Sequence, residues 1–240
     1  KSAMTTLGRD MRNAWSMTPD SVDLTRRREP RPAKVVCGER KVTMDLAATA
    51  LVVIDMQNAF CHPDNSGHDG PAREPIAPLQ KLMPELWGVD VPVVWVNWGN
   101  RADGLNLAPM VRFPFRDDHD GESFIVKDGF DAAIVDGLDV GNGDVMIDKY
   151  RMSGFWDTQL DSILRNLGIT TLLFAGVNLD QCVFTTLMDA SFLGYDCVLL
   201  EDCAATSSPD FCTQATLWNV ERCFGFVTAS SEILKALDPL

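Results

Sequence analysis

From Thr49 onward the chain repeats one unit: a short run of β-branched and other apolar residues, then a longer segment with apolar residues three or four positions apart. The first pattern fits a strand covered on both faces and the second a helix with one buried stripe. Their alternation predicts a parallel sheet wrapped by helices. Strands are expected at residues 50–56, 92–97, 144–149, 171–176, 196–201 and 224–228, and helices at 76–87, 156–167, 181–193 and 209–223. In the third of these helices Val183, Leu187, Ala190 and Leu193 share the face expected to pack on the sheet.

Two segments stand outside this repeat. Residues 1–45 are polar and rich in Arg and Pro, and are expected to form an extended N-terminal arm on a domain spanning residues 46–240. Arg26, Arg27, Arg28, Arg31 and Lys34 make the arm locally basic. They suit either a phosphate-binding patch or an arm docking on acidic surface of its own or a neighbouring subunit. Residues 99–143 are long, charged and Gly-rich, with Arg112, Arg116, Asp117, Asp118, His119, Asp120 and Gly121, and suit a lid or a subunit contact.

Bulk properties exclude several classes. The formal net charge is −13, which repels nucleic acid phosphates and anionic lipid head groups. No apolar run reaches the ~18 residues needed to span a bilayer. The cysteines at 37, 61, 182, 197, 203, 212 and 223 form an odd set without CxxC, and the N-terminus lacks a charged-then-apolar leader. The expected setting is therefore reducing and cytoplasmic, with most thiols acting as small buried hydrophobes.

In open parallel sheets ligands bind beyond the carboxyl ends of the strands. The first strand delivers Asp55 there, the second Asn97 and Trp98, the third Lys149, and the fifth Glu201 and Asp202; the fourth runs through Gly176 to Cys182. Cys182 stands at a strand-to-helix turn, where a helix dipole and a nearby Lys149 favour thiolate and Asp55 accepts the thiol proton. Each residue also has a plainer reading. Asp55 would cap the following helix, Lys149 would be a surface charge, and Cys182 would be inert, with Cys61 and Cys203 competing as nucleophiles. Their joint appearance at three strand ends favours the chemical reading.

His62 and His68, near Asp55 and Asp64, raise a metal site, but no zinc-ligand spacing such as HExxH is present, so no metal or other cofactor is expected. GxGxxG, GxxxxGK[ST] and GxSxG are absent too, which removes dinucleotide, P-loop and serine-hydrolase readings.

Three segments carry a resemblance: VVIDMQNAF around Asp55, DKYRMSGFWDTQLDSILRNLGI around Lys149, and FAGVNLDQCVFTTLMDASFLGYDCVLLEDCAAT around Cys182. They resemble the isochorismatase-like hydrolases over most of residues 46–234. Tyr150, Ser153, Gly154 and Phe155 are most similar to the ureidoacrylate amidohydrolase branch and its relatives acting on biuret and triuret. The resemblance implies a three-layer α/β fold with a six-stranded parallel sheet, a homo-oligomer (dimer or tetramer), and a covalent acyl-enzyme on the cysteine. It implies the aspartate as general base, the lysine holding the charged groups in place, and a cis peptide between Val177 and Asn178. Oxyanion donors would be the backbone N–H groups of Asn178 and Cys182. Asn178 and Leu179 depart from the small residue and threonine common in the family, which would alter pocket shape more than mechanism.

True isochorismatases lack the nucleophilic cysteine, so Cys182 argues against vinyl-ether cleavage. Nicotinamidases add an Asp/His metal site. The expected function is hydrolysis of a C–N bond in a small linear carbamoyl amide or ureide, with Gln57, Asn97, Trp98, Tyr150 and Phe155 lining the pocket. The alternatives are a nicotinamidase-like amidase and a catalytically silent oligomeric binding protein of the same fold.

Overall fold

The computed structural model describes residues 4–26, 28–67, 70–113 and 124–237. Among these residues strands pair into three sheets. β1 (Thr5–Leu7), β2 (Trp15–Thr18) and β3 (Ser21–Asp23) form a small antiparallel sheet, and β4 (Pro32–Cys37) and β5 (Arg40–Asp45) form a hairpin. The main sheet contains β6 (Thr49–Ile54), β7 (Val93–Trp98), β8 (Val145–Lys149), β9 (Thr171–Val177), β10 (Asp196–Ala205) and β11 (Phe226–Thr228). Every neighbouring pair in it is parallel, in the order β11-β10-β9-β6-β7-β8.

Helices cover both faces: α1 (Asn58–Cys61), α2 (Pro63–Ser66), α3 (Ile76–Gly88), α4 (Pro109–Arg112), α5 (Leu160–Asn166), α6 (Phe184–Phe192), α7 (Asp210–Asn219) and α8 (Ser230–Leu237). Alternate residues of β6 feed two cores, as a doubly covered strand requires. Leu51 and Val53 pack with Leu79, Leu82 and Leu86 of α3 and Ile233 of α8. Ala50, Val52 and Ile54 pack with Leu160 and Leu164 of α5 and Leu187 and Ala190 of α6. None of the described helices is long and apolar enough to cross a membrane.

The expected strands and helices are present, with shifted ends. Residues 156–159 precede α5 rather than opening it, and Trp156 is exposed. The helix expected at 181–193 is a π-type turn, Leu179–Val183, followed by α6; Leu193 lies beyond its end and is exposed. α7 likewise ends in a π-type turn, Val220–Phe224. β10 does not stop at Glu201: its register shifts between Leu199 and Ala204, and it continues to Ala205. Asp202 then receives the N–H and hydroxyl of Ser230, starting α8, instead of facing a crevice.

The N-terminal segment is more ordered than an extended arm. In β4, Ala33, Val35 and Cys37 point into the core while Pro32, Lys34 and Val36 point out, an alternation that builds the hairpin against α8 and β11. Thr228 donates to the Val36 carbonyl at 2.6 Å. Arg28 docks on its own chain, donating to Gly168 O at 2.8 Å beside Asp45, and Arg31 donates to Val89 O. Arg27 lies outside the described residues.

The strand order turns back on itself between β6 and β9. That is the switch point at which an open α/β sheet forms its ligand crevice. Gly176 makes the close approach possible there: its φ is +117°, and a Cβ would stand 1.9 Å from Ile54 O. Gly176→Ala is expected to lower stability by about 3 kcal/mol or more, read as a shifted denaturant midpoint. An unchanged midpoint would contradict this packing.

Candidate active site

Asp55, Lys149 and Cys182, the three strand-end residues expected to act together, converge. Asp55 follows β6 directly, with a φ of 53° that non-glycine residues seldom adopt. Its N–H donates to Val96 O at 3.1 Å, and Gln57 N–H returns to Asp55 O at 2.7 Å, so a tight turn aims the carboxylate across the sheet end. Lys149 closes β8, and Cys182 lies in the turn after β9. Asn178 O accepts the N–H of both Gln181 (3.1 Å) and Val183 (3.2 Å), which widens this turn into its π form. The Val177–Asn178 peptide is cis.

Lys149 Nζ lies 3.1 Å from Asp55 Oδ2 and 3.4 Å from Cys182 Sγ. It also donates to Arg151 O at 3.1 Å and sits 3.6 Å from the centre of the Trp98 ring, a cation–π contact. Asp55 and Lys149 are both 0% exposed and Cys182 is 5% exposed. A lysine at a strand end is ordinarily a solvated charge, so full burial against a carboxylate, a thiol and an indole removes the surface-charge reading. Asp55 does not cap α1, whose first turn follows Gln57.

Burial dominates the protonation of this cluster. It pushes the Cys182 thiol up to about 12, with Asp55 adding to the rise and Lys149 opposing it. Burial thus opposes the thiolate that dipole and lysine were expected to favour. The turn that holds Cys182 runs directly into α6 at Phe184, and the removal of water is the largest influence on the thiol. Asp55 is also raised above its ordinary value by burial, partly offset by Lys149 and by the neighbouring Cys182 thiol. A carboxylate with a raised pKa is the better proton acceptor.

The sulfur opens onto a cavity of about 490 Å³ lined by Asp55, Phe60, Trp98, Met152, Asn178, Gln181, Cys182 and Thr185. Of the five residues expected to bind substrate, Trp98 alone lines it. Gln57 is a buried clamp: its Nε2 donates to Trp98 O and Ala132 O, both at 2.8 Å, and its Oε1 accepts Trp98 N–H at 2.9 Å. Asn97 lines a different cavity, which Trp98 also borders. Phe155 stacks on Tyr195 with ring centres 6.0 Å apart. Tyr150 is half-buried and lies outside the cavity lining.

Residues not anticipated as lining are Phe60, Met152, Gln181 and Thr185. Met152 Sδ lies 3.6 Å from Cys182 Sγ. All four sit within the quoted motif segments, which is the one signal that singles them out. Thr186 braces the cysteine turn: its hydroxyl donates to Cys182 O at 2.6 Å and accepts Gly154 N–H at 3.1 Å.

Cys61 and Cys203 are both buried and outside this lining, with thiols raised by burial, Cys61 to about 12. His62 Nδ1 accepts the Asp64 N–H at 3.2 Å, starting α2. His68 lies outside the described residues, as do Arg116 to Gly121 of the charged 99–143 segment. Among the described residues no three of His, Cys, Asp and Glu group to hold a metal. Within the described part of the segment, Asn100 N–H donates to Ile125 O (3.0 Å) and Lys127 N–H to Asn100 O (2.9 Å).

A model of the isochorismatase domain matches residues 49–232. The chain belongs to the isochorismatase family. This isochorismatase-family hydrolase is similar to a cysteine hydrolase from Pseudomonas syringae pv. phaseolicola, at 26% identity over 82% of this chain and 95% of that one, with a TM-score of 0.73. It is similar to an isochorismatase family protein from Desulfovibrio vulgaris, at 26% identity over 80% of this chain and 98% of that one (TM-score 0.71). Similarity to N-carbamoylsarcosine amidase from Thermoplasma acidophilum reaches 29% identity over 77% of this chain and 97% of that one (TM-score 0.64).

Brief treatment with iodoacetamide near neutral pH, read by peptide mass spectrometry, is expected to modify exposed Cys223 before Cys182. Alkylation of Cys182 should accelerate as pH rises toward about 12. Cys182 reacting ahead of Cys223 at neutral pH would show that burial does not control its ionisation.

Proposed function

We propose that this hydrolase is a cysteine amidohydrolase that cleaves the C–N bond of a small linear carbamoyl amide or ureide, of the ureidoacrylate, biuret or triuret type. The observation that carries this reading is the buried contact of Asp55, Lys149 and Cys182 at the mouth of one cavity. A nucleophile, a proton acceptor and a fixed cation are the minimum set for acyl transfer without a metal. A silent binding protein has no need to bury three ionisable groups together. Similarity to an N-carbamoylsarcosine amidase supports a carbamoyl substrate.

Cys182 Sγ attacks the carbamoyl carbon as Asp55 takes the thiol proton. Lys149 stabilises the negative charge that passes between sulfur and carboxylate, and the backbone N–H groups of Asn178 and Cys182 receive the oxyanion. The C–N bond then breaks, and Asp55 returns the proton to the departing nitrogen, which leaves as ammonia or an amine. Water, giving a proton to Asp55, attacks the thioester carbonyl and displaces the sulfur, which regains its proton. Phe60, Trp98 and Met152 supply the apolar walls, and Gln181 and Thr185 supply polar groups suited to a planar ureide.

A panel assay for ammonia release from ureidoacrylate, biuret, triuret and N-carbamoyl amino acids tests the substrate class. On the active member, Cys182→Ser is expected to lower kcat/KM by at least about three orders of magnitude with circular dichroism unchanged. Retained turnover would remove the nucleophile assignment. Asp55 must be ionised to act, and its folded pKa is raised. Activity should therefore be lost, as pH falls, through a midpoint above the ordinary aspartate value; an acid limb at or below that value would contradict Asp55 as the base.

A further inference from the structure

Cys182 Sγ has Lys149 Nζ at 3.4 Å and Met152 Sδ at 3.6 Å. The second distance is van der Waals contact between two sulfurs. Met152 also lines the cavity onto which Cys182 opens, and Cys182 is only 5% exposed. The thioether therefore stands where the cavity meets the thiol. The backbone around Met152 is held on both sides. Arg151 O accepts from Lys149 Nζ at 3.1 Å, and Gly154 N–H donates to the Thr186 hydroxyl, which in turn donates to Cys182 O at 2.6 Å. Gly154 also lies against Val96, where a Cβ would stand 2.5 Å from its side chain. The scaffold thus sets the span from this segment to the sulfur, and one side chain decides how much of that span is filled.

Met152 is half-buried and packs on the core that contains Leu160, Val183 and Leu187, a role that many apolar residues could fill. Contact with the nucleophile adds a consequence that packing does not. Any carbon that bonds to Sγ carries its substituents into the space beside Met152. One methylene more or less in such a pocket changes selectivity by about tenfold or more. The unbranched, polarizable methionine side chain yields to a flat group but leaves little room for a branched one. We propose that Met152 is a specificity-determining residue that sets the bulk allowed on the carbon bonding to Cys182 Sγ. It admits a flat carbamoyl group and turns away a carbon bearing a further methyl branch. The inference rests on Cys182 being the nucleophile of the reaction above. It adds which end of the substrate must be small: the acyl side, not the departing nitrogen.

Alkylation reads this contact without hydrolysis. The full chain is treated at one alkaline pH with iodoacetamide or with 2-iodopropanamide, which carries a methyl branch on the carbon that bonds to sulfur as iodide leaves. Peptide mass spectrometry gives the rates at Cys182 and at exposed Cys223, whose ratio supplies the intrinsic difference between the reagents. After division by that ratio, the branched reagent is expected to be slower at Cys182 by about tenfold or more in the wild-type chain. Met152→Ala should remove most of this penalty, and Met152→Leu, close in volume, should keep it. Met152→Val, a smaller truncation, should remove part of it and decides the matter where Met152→Ala does not fold. A normalised ratio near one in the wild-type chain would overturn the proposal, as would a penalty unchanged in the folded truncated variants. So would a Cys182 left unmodified by both reagents in those variants, since something other than Met152 would then close off the sulfur. Failure of the amidase reading would show separately, as absent turnover in the substrate panel, without altering these ratios.

Discussion

A fully buried ammonium is the constraint around which the rest of the molecule is arranged. Lys149 has no access to water, so its charge is tolerable only beside the Asp55 carboxylate, the Cys182 sulfur, the Arg151 carbonyl and the Trp98 ring. Desolvating an ion costs several kcal/mol, and removing one partner of such a pair typically costs about 3–5 kcal/mol. The cluster is therefore held by the fold at the expense of stability, which is the usual relation between a reactive site and its scaffold.

The sheet supplies the geometry. Asp55 and Cys182 follow β6 and β9, the neighbouring strands at the switch point, and Lys149 arrives from β8 two strands away. Gly176 lets β9 pass against Ile54 O, and Gly154 fits where a Cβ would stand 2.5 Å from Val96. Thr186 then ties the segment after Lys149 to the turn that holds Cys182. These contacts fix Asp55, Lys149 and Cys182 relative to one another, with Lys149 Nζ 3.1 Å from the carboxylate and 3.4 Å from the sulfur.

Much of this was legible in the residues. Short apolar runs located the main-sheet strands to within a few residues, because doubly covered strands carry their signal in β-branched continuity. Listing what each strand delivers at its carboxyl end identified Asp55, Lys149 and Cys182. Asn97 and Trp98 illustrate the limit: β7 is apolar on both faces, so the pattern does not say which neighbour faces the cysteine. In Pro32–Cys37 the alternation of a hairpin strand was present but overshadowed by the Arg and Pro around it. The upward pull on the Cys182 thiol was not legible, since it comes first from burial, opposed by Lys149 and reinforced by Asp55, and burial is a property of the assembled cavity. Phe60 and Met152 look like ordinary core residues until the cavity is seen.

The most direct test of the central claim is rapid-quench intact-mass and peptide mass spectrometry during a single turnover of a hydrolysed ureide. The account predicts a transient acyl or carbamoyl adduct on the Cys182 peptide that forms and decays at rates consistent with product release. Product formation at full rate with no adduct on Cys182 at any time would contradict it.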